Sequence, residues 1–277
     1  TLRQLIFGIL AFITGFISPI VCIIFGVLGF NRARMGGGSS KAGLAKVGKR
    51  VLLIDADGQG SLTASLGYQE PDALEDTLAT VMGKLINEQT IEKREGLLHH
   101  AEGVDILPCN IELAGVEVTL VNAMRREFIL KEYIELVKDD YDYILIDCMP
   151  SLGMITMNAL AVADSVLIPV QAAYLSLKGL EQLITSISKA KKYLNPKLGI
   201  EGILLTMVDC RKNYAKDIVE IIRDSYGEAV NVFAVTIPAS VRAEEISAEG
   251  ISIFKHDPKG KVAMAYADLT EEVLFNE

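Results

Sequence analysis

The sequence is poor in the residues that build metal sites and disulfide frameworks. It has only four cysteines and three histidines in 277 residues, and no two cysteines form a CxxC pair. Widely spaced cysteines favour neither a zinc site nor a set of disulfide bonds, and they are typical of a reducing cytoplasm. The histidines stand among charged and turn-forming residues, which indicates solvated surface positions rather than metal ligands. These residues are Cys22, Cys109, Cys148, Cys210, His99, His100 and His256.

Acidic residues are missing from the first 50 positions, which carry seven lysines and arginines. Residues 51–277 therefore hold all 36 acidic residues but only 20 of the 27 basic ones. A body with that balance is soluble, and its net charge does not attract nucleic acid. Binding to DNA would have to use a local basic patch.

Charge of either sign is absent from residues 5–30, a run of 26 mostly apolar residues. A helix of that length crosses a hydrocarbon core of about 30 Å. Arg3 precedes the run, whereas Arg32 and Arg34 follow it at once, so the positive-inside rule places the rest of the chain in the cytoplasm. We therefore predict a membrane anchor, kinked at Pro19, that ties a cytoplasmic domain to the inner membrane.

Other interpretations of this run stay open. A signal peptide would have a shorter apolar part and an A-x-A-like cleavage site, and two segments turning at Pro19 would each be too short to span. Residues 20–30 could instead form a buried strand of the domain that follows. Since the first residue is Thr1 rather than methionine, we also consider a fragment.

From residue 51 onward, continuous apolar runs alternate with amphipathic stretches. The runs predict strands at 51–55, 104–107, 143–147, 165–170, 202–208 and 232–237, and the stretches predict helices over 127–138, 177–193 and 214–226. Apolar strands separated by helices are typical of a mostly parallel sheet covered on both faces. The sequence therefore predicts an α/β, doubly wound fold.

Carboxylates stand at the ends of two predicted strands. Asp55 and Asp57 close the first strand, and Asp147 closes the strand over 143–147. In a doubly wound sheet these ends face the ligand crevice, where acids can position magnesium and water. The alternative is that they only cap the helices that follow. Three acids on two strands, each followed by a glycine or proline turn, favour a site for a magnesium nucleotide.

Many segments resemble the ParA/Soj partitioning ATPases of the deviant-Walker class, relatives of MinD, in the same order along the chain. The resemblance covers residues 42–273. The matching segments are 43–46 (GLAK), 51–57 (VLLIDAD), 59–63 (QGSLT), 147–153 (DCMPSLG), 169–172 (PVQA), 205–209 (LTMVD), 237–238 (IP) and 240–247 (SVRAEEIS).

The resemblance implies a nucleotide site that takes Mg-ATP. Asp57 matches the family acid tied to ATP hydrolysis, and Asp147 matches the acid that holds the magnesium ion through water. Asp55 would support them from the same strand. Asp209 and Pro238 fall where the family contacts adenine.

The resemblance also implies partners. The family forms an ATP-bound homodimer that coats DNA without sequence preference and is stimulated by a ParB-like activator. Arg242 matches a family position implicated in DNA binding. Its basic neighbours in sequence could join it, and the alternative for all three is a solvated helix start: Arg211, Lys212 and Lys216.

The chain departs from the family at its phosphate loop, a Lys-Gly-Gly-x-Gly-Lys-Thr-Thr motif that follows the first strand. Counting back from residues 43–46 puts the loop lysine near Ala33, and residues 35–41 read Met-Gly-Gly-Gly-Ser-Ser-Lys. Gly58 stands where the family usually has proline. We therefore predict that the sheet lacks its usual first strand, that an apolar helix precedes it, and that nucleotide binding and hydrolysis are impaired.

The predicted organisation has three parts. Residues 1–34 form the apolar segment, residues 35–50 a Gly/Ser linker with the remnant of a first helix, and residues 51–277 the ATPase-like domain. The predicted function is that of a chromosome or plasmid partitioning ATPase. The alternatives are a membrane-tethered, non-catalytic interaction protein and a non-functional fusion or truncated remnant.

Overall fold

A computed structural model describes residues 22–26, 50–149, 153–209 and 211–275. The strands are β1 (Cys22–Gly26), β2 (Val51–Ala56), β3 (Leu98–His100), β4 (Val104–Leu107), β5 (Tyr143–Cys148), β6 (Ser165–Gln171), β7 (Gly199–Val208) and β8 (Val232–Pro238). The helices are α1 (Ser61–Ser65), α2 (Leu78–Ile86), α3 (Leu113–Leu120), α4 (Ile129–Val137), α5 (Met154–Val162), α6 (Tyr174–Tyr193), α7 (Asn213–Tyr226), α8 (Val241–Glu249), α9 (Ile253–His256) and α10 (Lys261–Phe275).

The strands form one sheet in the order β3-β4-β2-β5-β1-β6-β7-β8. The pairs β2–β4, β2–β5, β6–β7 and β7–β8 are parallel. The short edge strand β3 and the inner strand β1 run antiparallel to their neighbours. The six strands and three helices predicted from the sequence are all present, with ends shifted by up to three residues. The prediction of a mostly parallel α/β sheet is confirmed.

Helices cover both faces of this sheet because its inner strands are apolar on both sides. Every residue of β2 and β5 is buried. Along β2 the side chains alternate, so that Leu52 and Ile54 join one core whereas Val51 and Leu53 join the other. Helices α2 to α7 pack on the first face, and α1, α9 and α10 pack on the second.

The inner position between β5 and β6 is taken by β1, which differs from our prediction of a sheet without a first strand. Cys22 lies opposite Cys148, and Gly26 lies opposite Ile144. A strand needs only about five residues, and the segment Cys-Ile-Ile-Phe-Gly is rich in the β-branched and aromatic residues that favour strands. Without it, β5 and β6 would each present unpaired backbone N–H and C=O groups in the middle of the sheet.

The predicted membrane helix over residues 5–30 is not supported. Residues 22–26 are a strand, so a continuous helix does not run through them. In the part of the chain that the structure describes, no helix is long and apolar enough to cross a membrane. The remainder of the predicted anchor, and all of the Gly/Ser linker except Arg50, lie outside the described residues.

The place of β1 can be tested through its backbone. Ile24 pairs with Ile146 on one side and Val166 on the other. We expect Ile24→Pro to lower the free energy of unfolding by about 3 kcal/mol or more, because proline removes a ladder hydrogen bond and strains an inner strand. Urea unfolding followed by circular dichroism measures this. Ile24→Val, which keeps the backbone N–H, is the matched control, and equal midpoints for the two variants would contradict the assignment.

Candidate functional site

Two buried carboxylates face each other across neighbouring strands at the carboxyl edge of the sheet. Asp55 of β2 pairs in register with Asp147 of β5. The exposed fraction is 0% for Asp55 and 8% for Asp147. Strands in a sheet lie about 4.8 Å apart, so the two side chains share one small region. The sequence-based expectation that strand-end acids come together therefore matches this geometry.

Asp55 is held by the start of α1. Its Oδ2 atom accepts hydrogen bonds from the backbone N–H of Thr63 at 2.8 Å and from the Thr63 hydroxyl at 2.6 Å. Its Oδ1 atom accepts a weaker one from the N–H of Asp57 at 3.3 Å. The Thr63 hydroxyl oxygen in turn accepts from the N–H of Cys109 at 3.0 Å. One threonine therefore ties β2, α1 and the loop after β4 together around the Asp55 carboxylate.

Burial makes the charged forms of both acids costly. Desolvation raises the pKa of Asp55 to about 6, although the hydrogen bonds from Thr63 oppose the rise. The pKa of Asp147 is raised well above its ordinary value, first by desolvation and then by repulsion from Asp55 and Asp57. Like charges this close do not both ionise cheaply. A cation placed between them would let both carboxylates ionise.

Asp57 lies at the rim of a small adjoining pocket of about 390 Å³ including the space open to solvent. Its carboxylate accepts a hydrogen bond from the N–H of Gln59 at 2.9 Å, which shapes the turn after β2. Gly58 is not conformationally strained, since a Cβ atom there would make only ordinary contacts at 3.8 Å. The pocket is lined by Asp57, Gly58, Gln59, Ile111, Leu113, Ala114, Glu117, Met149 and Ile155.

Glu117 of α3 packs against the start of α5. A Cβ atom on Gly153 would lie 3.0 Å from the carboxyl carbon of Glu117 and closer still to one of its oxygens, so a side chain there would require the Glu117 carboxylate to shift. A carboxylate at a helix N-terminus is also favoured by the helix dipole. This contact joins α3 to Gly153, which lies six residues after Asp147.

The two residues predicted to contact adenine lie together at the ends of β7 and β8. Asp209 directly follows β7, and Val208 pairs with Pro238 across the two strands. Arg211 donates two hydrogen bonds to Asp209, from Nε at 2.8 Å and from Nη2 at 3.0 Å. These bonds lower the pKa of Asp209 to about 2, which keeps it ionised.

Arg211 and Arg242, which are predicted to bind DNA, follow the neighbouring strands β7 and β8. Arg211 is engaged by Asp209, and Lys212 lies 3.8 Å from the same carboxylate. Arg242 stands on α8 and pairs with Asp257 at 3.1 Å. Its side chain remains 65% exposed, so it can still reach a ligand.

Sequence reasoning missed three residues that organise this site. Thr63 and Asn158 are both fully buried, and Glu117 contacts Gly153. Asn158 accepts a hydrogen bond from the N–H of Leu130 at 3.1 Å and donates to the carbonyl of Arg126 at 2.7 Å. A polar residue inside an apolar helix, such as Asn158 in α5, is the one sequence signal that pointed to this network.

The fold and the paired acids define the chain as an α/β protein of the P-loop NTPase type. A family model described as an AAA domain matches residues 39–200. Among solved structures, cobyrinic acid a,c-diamide synthase from Mycobacterium smegmatis with a bound ATP analogue and magnesium is 34% identical, with a TM-score of 0.69. The alignment covers 82% of each chain. Apo McdA from Cyanothece, 19% identical with a TM-score of 0.69, shares the fold over 82% of this chain and 88% of its own.

Curated relatives specify the family. The sporulation initiation inhibitor protein Soj of Bacillus subtilis is 41% identical over 84% of this chain and 89% of its own length. The chromosome partitioning protein ParA of Myxococcus xanthus is 41% identical over 84% of this chain and 80% of its own. The chain belongs to the ParA/Soj family of partitioning ATPases, as the resemblance implied.

The paired acids predict that stability falls as pH rises. Asp55 and Asp147 bind protons more tightly in the folded state, so stability is full below the ordinary aspartate pKa of 3.8 and is lost as pH passes the raised values. The shift at Asp55 alone corresponds to about 3 kcal/mol. We expect Asp147→Asn to reduce this loss and to raise stability at pH 8, measured by urea unfolding in EDTA.

The control for this prediction is Asp268→Asn, which neutralises an exposed aspartate of α10. It should leave the pH profile of stability unchanged. A wild-type protein whose unfolding free energy is constant or rises between roughly pH 4 and roughly pH 8 would show that the two acids are not strained by burial.

Proposed function

We propose that the chain is a cytoplasmic partitioning protein whose site takes Mg-ATP at the carboxyl edge of the sheet but binds it weakly. The observation that carries this proposal is the register pairing of Asp55 with Asp147, two buried acids on neighbouring strands, in a chain of the ParA/Soj family. Soj and ParA are named for sporulation control and chromosome partitioning, and a role of that kind is what we infer here.

The acids suit a magnesium ion. Mg²⁺ prefers oxygen ligands and keeps several waters, and Asp55, Asp57 and Asp147 supply carboxylate oxygens in one region. The repulsion that raises the pKa of Asp147 would be relieved by such an ion. We assign Asp147 to hold magnesium through water, Asp57 to orient the attacking water, and Asp55 to support both. Magnesium would supply the charge that neutralises the phosphates.

The adenine end would lie at Asp209 and Pro238. Between β5 and β7 the sheet has two strands, β1 and β6, so by strand spacing Asp209 is about 14 Å from Asp147, and Pro238, one strand further on β8, is about 19 Å from it. An extended nucleotide can bridge such a separation, with its base near β7 and β8 and its phosphates near the acids. The ion pair between Arg211 and Asp209 would either remain beside the bound adenine or break when adenine binds.

The phosphate end supports the inference of weak binding. In a doubly wound sheet a phosphate loop directly follows a parallel strand at the carboxyl edge. Here β1 runs antiparallel, which places its first residue, Cys22, at that edge and its last, Gly26, at the opposite one. The strand therefore ends at the edge of the sheet opposite to the acids.

For partners we propose a homodimer, a ParB-like activator and non-specific DNA. Arg242 is the described residue best placed for DNA because it is exposed, and Lys259 and Lys261 are exposed neighbours of its partner Asp257. The cysteines Cys109 and Cys148 are both buried, which agrees with a reducing cytoplasm. The second candidate is a non-catalytic protein that keeps the partner-binding surface, and the direction of β1 favours it.

Nucleotide binding separates these candidates. We expect the purified protein to bind labelled Mg-ATP with a Kd weaker than about 1 mM, because the sequence contains no Gly-Lys-Thr motif to neutralise the phosphates. Fluorescence anisotropy measures this, with Asp147→Ala as the control. Micromolar, saturable binding that the control loses would overturn the inference of a weak site. No binding by a folded protein would favour the non-catalytic candidate.

DNA binding tests the role of Arg242. We measure how the constant for binding to a DNA duplex of random sequence falls as the salt concentration rises. Because Arg242→Gln should remove one phosphate contact, it should make the slope of log binding constant against log salt concentration shallower by about 0.9. The titration is run with and without Mg-ATP. Lys131→Gln, an exposed lysine of α4, is the matched control and should leave the slope unchanged. An unchanged slope for Arg242→Gln would remove Arg242 from the DNA contact.

A further inference from the structure

Two helices of the proposed site end against each other through glycine. Helix α1 follows the acids of β2 and is closed by Gly67, whereas α8, which carries Arg242, is closed by Gly250. Gly67 has φ 92° and Gly250 has φ 65°, in the left-handed region where glycine commonly closes a helix. Each helix therefore turns away at a glycine, and the two glycines lie side by side.

The backbones of Gly67 and Gly250 are in direct contact, and we call this contact the glycine joint. A Cβ atom on Gly250 would lie 2.6 Å from the Cα atom of Gly67 and 3.0 Å from its N atom. Because backbone atoms cannot rotate away as a side chain can, the two helix ends would have to separate to admit it. A Cβ atom on Gly67 would lie 3.6 Å from the Cα atom of Gly250, which is an ordinary contact.

Asp55 holds the helix that leads to the glycine joint. Its Oδ2 atom accepts hydrogen bonds from the backbone N–H and the hydroxyl of Thr63, in the middle of α1. The N–H of Gly67 then donates to the carbonyl of Ala64 at 2.9 Å. Since α1 has only five residues, a displacement of Thr63 is carried to Gly67, four residues later.

The apolar residues of α1 belong to the same core as residues of α8 and α9. Leu62 and Leu66 of α1 are 2% and 3% exposed. Ala243 of α8 and Ile253 of α9 are part of that core. Protein interiors are close-packed and transmit strain, so a shift of α1 displaces α8 rather than opening a gap.

A second contact fixes the chain just after the glycine joint. Glu102, in the turn between β3 and β4, accepts hydrogen bonds from the N–H of Ser252 at 2.9 Å and from its hydroxyl at 2.7 Å. Gly250 is buried, and Ser252 is only 1% exposed. The end of α8 is therefore held between α1 and this turn.

Arg242 stands at the other end of α8. It precedes Gly250 by eight residues, about 12 Å along the helix. Its ion pair with Asp257 at 3.1 Å is largely exposed, and pairs of this kind hold a helix only weakly. A small rotation of α8 about the glycine joint therefore moves Arg242 further than it moves Gly250.

We propose that Gly67 and Gly250 are positioning residues through which the hold of Asp55 on α1 sets the position of α8 and of Arg242. The contact of Arg242 with DNA rests on the proposed function, whereas the mechanical link between Asp55 and α8 does not. The link requires glycine at position 250, because any Cβ atom there drives the two helix ends apart.

Hydrogen exchange of the whole chain, without nucleotide or DNA, tests the link as a double-mutant cycle. Thr63→Ala removes a hydrogen bond to Asp55, and we expect it to speed exchange in α8 by about tenfold relative to exchange in α7. In a Gly250→Ala background the same change should speed exchange in α8 by less than about twofold, because the glycine joint is already open. A merely structural role of Gly250 would leave the two effects additive.

Matched variants separate contact from backbone strain. Gly67→Ala also places a side chain in the left-handed region but makes only an ordinary contact, so the response of α8 to Thr63→Ala should persist in it. Gly250→Asn replaces Gly250→Ala if the alanine variant does not fold, since asparagine adopts this conformation more readily and carries the same Cβ atom. Equal responses in the wild-type and Gly250→Ala (or Gly250→Asn) backgrounds, or loss of the response in Gly67→Ala as well, would overturn the proposal.

DNA binding adds a functional readout. Gly250→Ala should make the slope of log binding constant against log salt concentration shallower by about 0.9, and adding Arg242→Gln should change it no further. An unchanged slope for Gly250→Ala, in a protein whose wild type binds DNA, would overturn the positioning of Arg242. A wild type that does not bind DNA would contradict the proposed function, and the exchange cycle would still decide whether the link exists.

Discussion

The burial of two aspartates side by side is the constraint on which the rest of the site depends. Asp55 and Asp147 sit on adjacent inner strands, and burial together with repulsion raises the pKa of each. Such an arrangement persists when a proton neutralises an acid, when surrounding hydrogen bonds hold it or when a cation joins it. Thr63 supplies the hydrogen bonds for Asp55. None of the described side-chain hydrogen bonds reaches Asp147, so a bound cation would stabilise the charged form of Asp147 more than that of Asp55.

A second constraint comes from the backbone of the sheet. With β5 on one side and β6 on the other, the inner position must be filled, since unpaired backbone groups there would be buried away from water. Hydrogen bonding of this kind depends little on side chains and accepts either strand direction. A short apolar segment running antiparallel therefore satisfies the backbone. It does so without bringing a loop to the carboxyl edge after the strand.

The sequence predicted the sheet well because its inner strands are long apolar runs, as in β2 and β5. It also predicted that Asp55, Asp57 and Asp147 would lie together, since parallel strands end at one edge. It failed at β1, where the length and lack of charge of residues 5–30 favoured a membrane helix. Five residues of strand leave little periodicity to recognise inside such a run. Thr63, Glu117 and Asn158 were missed because their roles depend on contacts between distant segments.

These two constraints separate the fold from its chemistry. Four elements position the acids and their hydrogen bonds: β2, β5, α1 and α5. These elements pack into the two cores without contributions from a phosphate loop. A chain can therefore keep high similarity to Soj and ParA over most of its length while its inner strand β1 runs antiparallel to its neighbours. Family membership then rests on the whole sheet, whereas ATP hydrolysis depends on one loop at one edge.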